Sequence, residues 1–183
     1  MSLLPEMSDI VARHAPPDLS RSAVPRLRLY GSNAQTRLVP VAYDPMLCLV
    51  VCGAKQTILG ETVYSYQAGD CLVVSAELPV CGSIIEAPYR ALSFDLDPAA
   101  IAGLMLEIDV PAPSDQPPPT GIHVTPLEDD LLELMARLLR LLDRPEEIAV
   151  MTPMIERELI WRLLHSRHAA TVRQIASAES RLS

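Results

Sequence analysis

The sequence predicts a mainly β plus α fold, a jelly-roll β-barrel followed by an antiparallel helix pair. Three observations carry this expectation. Between Leu27 and Leu96, short β-branched or aromatic runs recur every ten residues or so with turn signals between them, the pattern of a sandwich or barrel. At Asp97 the apolar spacing changes from alternation to a helical period. Two leucine-rich amphipathic stretches then follow, joined by the short link "RPEE", which predicts an antiparallel pair.

Taken in order, residues 4–14 read as a short helix opened by Pro5, with Met7, Ile10 and Val11 spaced along one face. "APPDLSRSAVP" ends it. Seven strand runs follow: "RLRLYG", "MLCLVVCG", "KQTILG", "ETVYSYQAGD", "CLVVSAELP", "VCGSIIEA" and "YRALSFDLD". Asp97 is placed to cap a helix whose first residue is Pro98, since a carboxylate accepts an orphan amide and proline has none to lose. "VPAPSDQPPPTG" is too rich in proline to pair in a ladder and reads as a surface connection. In "TPLEDDLLELMARLLRLLD", Thr125, Pro126 and Glu128 form a capping box, and Leu131, Leu134, Leu138 and Leu141 recur at helical spacing. Asp129, Asp130 and Glu133 near the start and Arg137 and Arg140 near the end suit the helix dipole. "TPMIERELIWRLLHS" repeats the device, with Thr152 as cap, Pro153 as first residue and Ile155, Leu159, Ile160 and Leu163 as the apolar stripe. "AATVRQIASAESRLS" is a third helical stretch. It reaches Ser183 with no glycine or proline to stop it, so the chain is expected to lead into a further domain.

The bulk numbers narrow the function. A chain of 183 residues is one domain by size, or one domain plus a small appendage. A net charge of −8 argues against this chain alone gripping nucleic acid, which needs clustered cations. Lys55 is the only lysine; the remaining basic residues are arginines. The N-terminus lacks the basic start and apolar core of a secretory signal, and the longest apolar run, Met46 to Ala54, is about half what a membrane helix needs. The expectation is a cytoplasmic protein without membrane contact. Cys48, Cys52, Cys71 and Cys81 lie among apolar strand residues with no disulfide-scaffold pattern, and read as small buried hydrophobes.

"GETVYSYQAGDCLVVSAELPV" reads as the middle of a cupin-like barrel, a shell that often holds a metal on inward histidines. Here His14, His123, His165 and His168 all fall outside the strand runs, and no pair has chelating spacing within one strand or helix. Cys48 and Cys52 share strand parity but stand roughly 13 Å apart, too far for one zinc ion. No metal and no cofactor are expected. The same census weakens catalysis: a general base would be Glu61, Glu77, Glu86 or Asp95, and Cys71 and Cys81 have no sequence-local base. The alternative reading is a cupin enzyme of small-molecule metabolism, with or without a metal. What remains is an apolar interior with polar tips. Tyr64 and Tyr66 share a strand face, Arg28 stands two residues from Tyr30, and Leu49, Val74 and Phe94 supply apolar wall, a set suited to a small organic ligand. Strand parity leaves open which face is inward, because several strands are apolar on both.

Across "YDPMLCLVVCGAKQTILGETVYSYQAGDCLVVSAELPVCGSIIEAPYRALSFDLDP", with "RLLRLLDRPEEIAVMTPMIERELIWRLL" and "VRQIASAESRLS" following in the same order, the chain resembles the N-terminal effector and dimerisation domain of AraC-type bacterial transcription regulators. The subgroup opening is Tyr-Asp-Pro, Gly-x-Lys and Leu-Gly; Cys52 stands where that pattern more often shows glutamine. The resemblance implies a cupin-like barrel over 25–97 behind an N-terminal arm of 1–24, and a helical segment over 98–168 containing the proline-rich loop 111–120. Residues 169–183 then lead to a helix-turn-helix DNA-binding domain beyond this chain. It implies an unidentified small-molecule effector, a homodimer, and DNA contact only through that further domain. Mapped here, the helix pair 126–142 and 153–166 becomes the dimer surface, with Leu134, Leu138, Leu141, Ile155, Leu159 and Leu163 as its apolar residues.

Overall fold

The computed structural model describes residues 3–16, 21–110 and 121–180, with side chains to residue 177. The whole proline-rich loop 111–120 and parts of the expected arm and terminal helix lie outside the described residues. Helix α1 (Leu4–His14) opens the chain, with Met7, Ile10 and Val11 buried as their spacing predicts. The seven described strands form one antiparallel sheet: β1 (Leu27–Ser32), β2 (Val39–Tyr43), β3 (Met46–Leu59), β4 (Thr62–Gln67), β5 (Asp70–Val74), β6 (Leu78–Asp95) and β7 (Ile122–Pro126). The helices are α2 (Pro98–Glu107), α3 (Asp129–Arg140), α4 (Ile148–Leu164) and α5 (Ala169–Ser180).

Two long strands organise the sheet. β3 and β6 pair with each other in the centre, and each changes its outer partner halfway along. β3 pairs first with β5 and then with β4; β6 pairs first with β2 and then with β1. The sheet therefore has two halves, β1-β6-β3-β5-β7 and β2-β6-β3-β4, hinged on the same two strands. The register shifts between Val50 and Lys55 mark the hinge, a bulge that bends its strand and increases local twist. Gly53 sits there at φ 76°, and a Cβ on it would stand 2.5 Å from the Pro88 carbonyl oxygen and 2.6 Å from that of Glu86. Only glycine fits. The mixed β and α class is as expected, with the sheet bent and open rather than closed.

Several sequence expectations change. "MLCLVVCG" and "KQTILG" are one strand, as are "VCGSIIEA" and "YRALSFDLD", because the bulge bends the chain without interrupting its pairing. β2 and β7 were not expected. β2 carries Pro40 and four exposed residues, so it lacks the inward-outward alternation of a strand with one buried face. β7 pairs with β5 and draws Thr125 into the sheet, so the capping box does not form; α3 begins at Asp129 with no side-chain cap. α4 begins four residues before Thr152, leaving Pro153 inside the helix and the buried Thr152 hydroxyl without a partner among the described residues. Asp97 does cap α2, accepting from the Ala99 amide at 3.1 Å.

Side-chain alternation sorts the central strands into two faces. Leu27 and Leu29 of β1, Leu47, Leu49 and Val51 of β3, and Leu92 and Phe94 of β6 enter one core with all five helices. Met46, Cys48 and Val50 of β3, with Tyr89 and Ala91 of β6, face a second, smaller cluster with Tyr43 and Tyr66. Among the described residues no helix is long and apolar enough to cross a membrane.

Gly53→Ala is expected to destabilise the chain by about 3 kcal/mol or more in urea denaturation, since it adds both a left-handed backbone penalty and a clash with two carbonyls. Gly103→Ala, in α2 with open space around it, is expected to stabilise by about 0.5–1 kcal/mol. Equal effects at the two sites would contradict the role of the bulge.

Candidate functional site

The two halves of the sheet enclose a cavity of about 550 Å³. β1 contributes Arg28 and Tyr30 to its wall, and β2 contributes Val39, Val41 and Tyr43. Met46, Cys48 and Lys55 come from β3, Tyr66 from β4, and Ile84, Tyr89 and Asp95 from β6. Its volume lies within the range of small-molecule sites, about 300–1,000 Å³, and apolar side chains with a few convergent polar groups are their usual lining.

The polar groups fall into two sets. The first is paired, except for the Arg28 Nε, which is buried without a partner among the described residues. Arg28 Nη2 donates to Asp95 Oδ2 at 3.0 Å, with Asp44 Oδ2 at 3.9 Å on the same nitrogen. The Tyr30 hydroxyl bonds the buried Ser93 hydroxyl at 3.0 Å. Tyr43, Thr57 and Tyr66 form a closed triangle of hydroxyls at 2.6, 3.1 and 3.2 Å, which fixes two aromatic walls. Such a network is stable because every member has a partner in a low-dielectric setting. The second set is unpaired. Lys55 Nζ lies 5.5 Å above the Tyr43 ring centroid, and among the described residues no carboxylate is within 4.0 Å of it. The Tyr89 side chain is buried, and among the described residues its hydroxyl has no hydrogen-bond partner.

Burial holds these groups in their neutral forms. It raises the Tyr30, Tyr66 and Tyr89 hydroxyls above the ordinary tyrosine value and pushes the Cys48 thiol up to about 11. The hydroxyls are therefore donors at neutral pH and the thiol is not a thiolate.

Of the seven ligand candidates named from sequence, Arg28, Tyr30 and Tyr66 lie on the wall. Leu49 and Phe94 do not: their parity turns them to the helix side, where both are fully buried. Val74 shares the cavity-side cluster but packs beyond the wall, and Tyr64 is a half-buried neighbour of that cluster. Sequence reasoning missed Tyr43, Lys55 and Tyr89. A lone lysine in an apolar strand was the available signal for Lys55; the wall role of Tyr43 depended on seeing β2.

The family pattern of the AraC-type transcriptional regulator N-terminus matches residues 23–171. The chain belongs to that family. Solved structures with a similar fold include ToxT from Vibrio cholerae O395, at 9% identity and TM-score 0.50 over 81% of this chain and 54% of that one. ToxT from the same source bound to (E)-4-(8-methylnaphthalen-1-yl)but-3-enoic acid matches at 7% identity and TM-score 0.51 over 79% of this chain and 57% of that one. At such identities the likeness concerns the fold alone, and this chain spans only about half the length of those it matches. No curated protein matches it in sequence.

In this AraC-type chain the expected dimer residues have another role. Leu134, Leu138, Leu141, Ile155, Leu159 and Leu163 are all buried within the chain itself, in the core between the helices and the sheet. Withdrawing any of them for a partner would forfeit about 1.5–3 kcal/mol of burial. The outward face of α4 instead carries Val150, Met154 and Trp161, with the Trp161 ring stacked on His165 at 4.3 Å.

A second polar cluster lies where α5 leaves the sheet. His123, read from sequence as outside any strand, is in β7, and its ring meets that of His168 at 5.6 Å between centroids. His168 Nε2 is 3.4 Å from Thr125 Oγ1 and 3.8 Å from Cys71 Sγ, and its Nδ1 is buried without a partner among the described residues. Among the described residues no group of three or more histidine, cysteine or acidic side chains is placed to hold a metal ion. Burial, reinforced by His123, lowers the His168 pKa to about 4, and burial pushes the Cys71 thiol up to about 11.

Because His168 titrates near 4 in the folded chain and near 6.5 once unfolded, the unfolded chain binds its proton first. Stability is therefore full above about pH 6.5 and is lost progressively as pH falls toward 4, by roughly 3 kcal/mol from this residue. Urea denaturation of the wild type across that range should show the fall, and His168→Gln should flatten it. An unchanged slope in the variant would assign the titration elsewhere.

Proposed function

We propose that this chain is the ligand-sensing and dimerisation part of an AraC-type regulator, controlling DNA binding by a C-terminal helix-turn-helix domain outside this sequence. A small organic effector occupies the cavity between the two halves of the sheet. The observation that carries this reading is the shared wall: β1, β3 and β6 line the cavity with one face and hold the helical core with the other. An occupant that moves Arg28 or Tyr30 moves Leu27 and Leu29 with them. Two residues upstream, Arg26 bonds Asp97 at the start of α2 and Glu156 of α4, so β1 is also tied by ion pairs to two helices. To act as a switch, the effector has to prefer one helical arrangement over another, because equal affinity shifts nothing.

The reading assigns no catalysis to the chain. In support, the cavity thiol is held protonated and Asp95 is committed to Arg28. It places the protein in the cytoplasm, where its DNA target would be. It keeps residues 25–97 and the helices that follow as one sensing unit, with residues 169–183 leading to the DNA-reading domain. Homodimerisation belongs to the same reading, with the exposed apolar face of α4 as its contact; a strict monomer at high micromolar concentration in sedimentation equilibrium would count against it.

Screening small organic molecules by thermal denaturation tests the sensor role. A ligand at a hundred times its Kd is expected to stabilise the chain by about 2.7 kcal/mol. Ile84→Trp, which fills the cavity from β6, is expected to keep the fold and lose that response. A response that survives in the variant would place binding elsewhere.

A further inference from the structure

We infer that the effector is an aromatic or otherwise apolar monocarboxylate whose carboxylate is held by Lys55. This rests on the sensor reading above and names the ligand class for the same cavity.

The argument begins from what the cavity leaves unsatisfied. The Tyr30, Tyr43 and Tyr66 hydroxyls are engaged by protein partners, and Arg28 is paired with Asp95 through Nη2, while its Nε is enclosed with no partner among the described residues. Besides that enclosed nitrogen, two donors are left over on the wall, the Lys55 ammonium and the Tyr89 hydroxyl. Donors call for acceptors, and a positive donor calls for a negative one. Lys55 is also the only lysine in a chain that otherwise uses arginine throughout. A flexible ammonium is a point charge, suited to one anionic group rather than to the bidentate grip of a guanidinium.

The position of Lys55 is built into the sheet. It pairs in register with Tyr66 on one side and Ile84 on the other, so its stem starts between two wall strands. Gly82 lies beneath it: a Cβ there would stand 3.1 Å from Lys55 Cε. The absent side chain leaves room for the lysine to cross toward the Tyr43 ring, whose face attracts the cation without neutralising it.

The same layout selects among anions. One unpaired cation balances one negative charge, so a phosphate carrying two would be left under-neutralised. No free arginine stands on the wall to take the second, since Arg28 is neutralised by Asp95 with Asp44 beside it. A sugar would bring many hydroxyls to walls whose own hydroxyls are mostly paired. A ring or chain of apolar carbon meets Tyr30, Tyr43, Met46, Ile84 and Val41, and its acid group meets Lys55. A lone carboxylate on an apolar body fits best.

The test compares naphthalene-2-carboxylate with naphthalene-2-carboxamide, which share size and shape and differ in charge. Each is titrated into the whole chain and followed by isothermal calorimetry. The carboxylate is expected to bind about tenfold to a hundredfold more tightly than the amide, the range of a charge-assisted hydrogen bond. Lys55→Met should erase that ratio and Lys55→Arg should restore part of it. The wild-type ratio decides the matter even if the methionine variant fails to fold. Equal binding of acid and amide, abolished by Ile84→Trp, would overturn the lysine anchor and leave the sensor reading standing. Binding of neither compound would overturn the ligand class proposed here, while the sensor reading would still stand on the wider screen.

Discussion

The structure depends on three strands that present one face to a helical core and the other to a cavity. β1, β3 and β6 each alternate between a helical core and a cavity, so the same backbone serves two environments a few ångströms apart. Packed interiors are as dense as organic crystals and have little slack to absorb a shifted strand. A change in what fills the cavity is therefore carried to the other face rather than dissipated. The bulge at Gly53 makes this geometry available, because without the bend the two halves of the sheet would not face each other.

The polar chemistry of the cavity follows from the cost of burial. A buried hydroxyl or charge without a partner costs more than a paired one gains, so most polar groups are tied to each other. The triangle of Tyr43, Thr57 and Tyr66 and the Arg28–Asp95 pair serve that end and also hold the walls in place. Lys55 and Tyr89 stand apart from this economy, and in a cavity of this size such exceptions are where an occupant would be recognised. The His168 cluster illustrates the opposite case. There the groups are closed off beneath α5, and the penalty of charging them acts on stability rather than on recognition.

Much of the fold was legible in the sequence, and the misses share a cause. α1, the Asp97 cap and the leucine periods of α3 and α4 are local patterns, fixed by residues within a few positions of one another. β7 and the fate of Thr125 were decided by pairing with β5, some fifty residues away in the chain, and that pairing outweighed a good capping signature. The cavity was half legible. Arg28, Tyr30 and Tyr66 could be chosen by residue type, whereas Leu49 and Phe94 required knowing which face of β3 and β6 looks inward. A strand apolar on both sides carries no such information. The leucines expected at a dimer surface are buried within the chain, and the sequence could not foretell it for a related reason: an apolar stripe marks a buried face but does not say which neighbour buries it.

Amide hydrogen exchange tests the shared-wall account most directly. The chain is compared with and without naphthalene-2-carboxylate, at a concentration that raises its melting temperature. If one backbone serves both faces, exchange should slow in β1 and β6 and also in α2 and α4, which touch no part of the cavity. Slowing confined to the strands, with the helices unchanged, would contradict it.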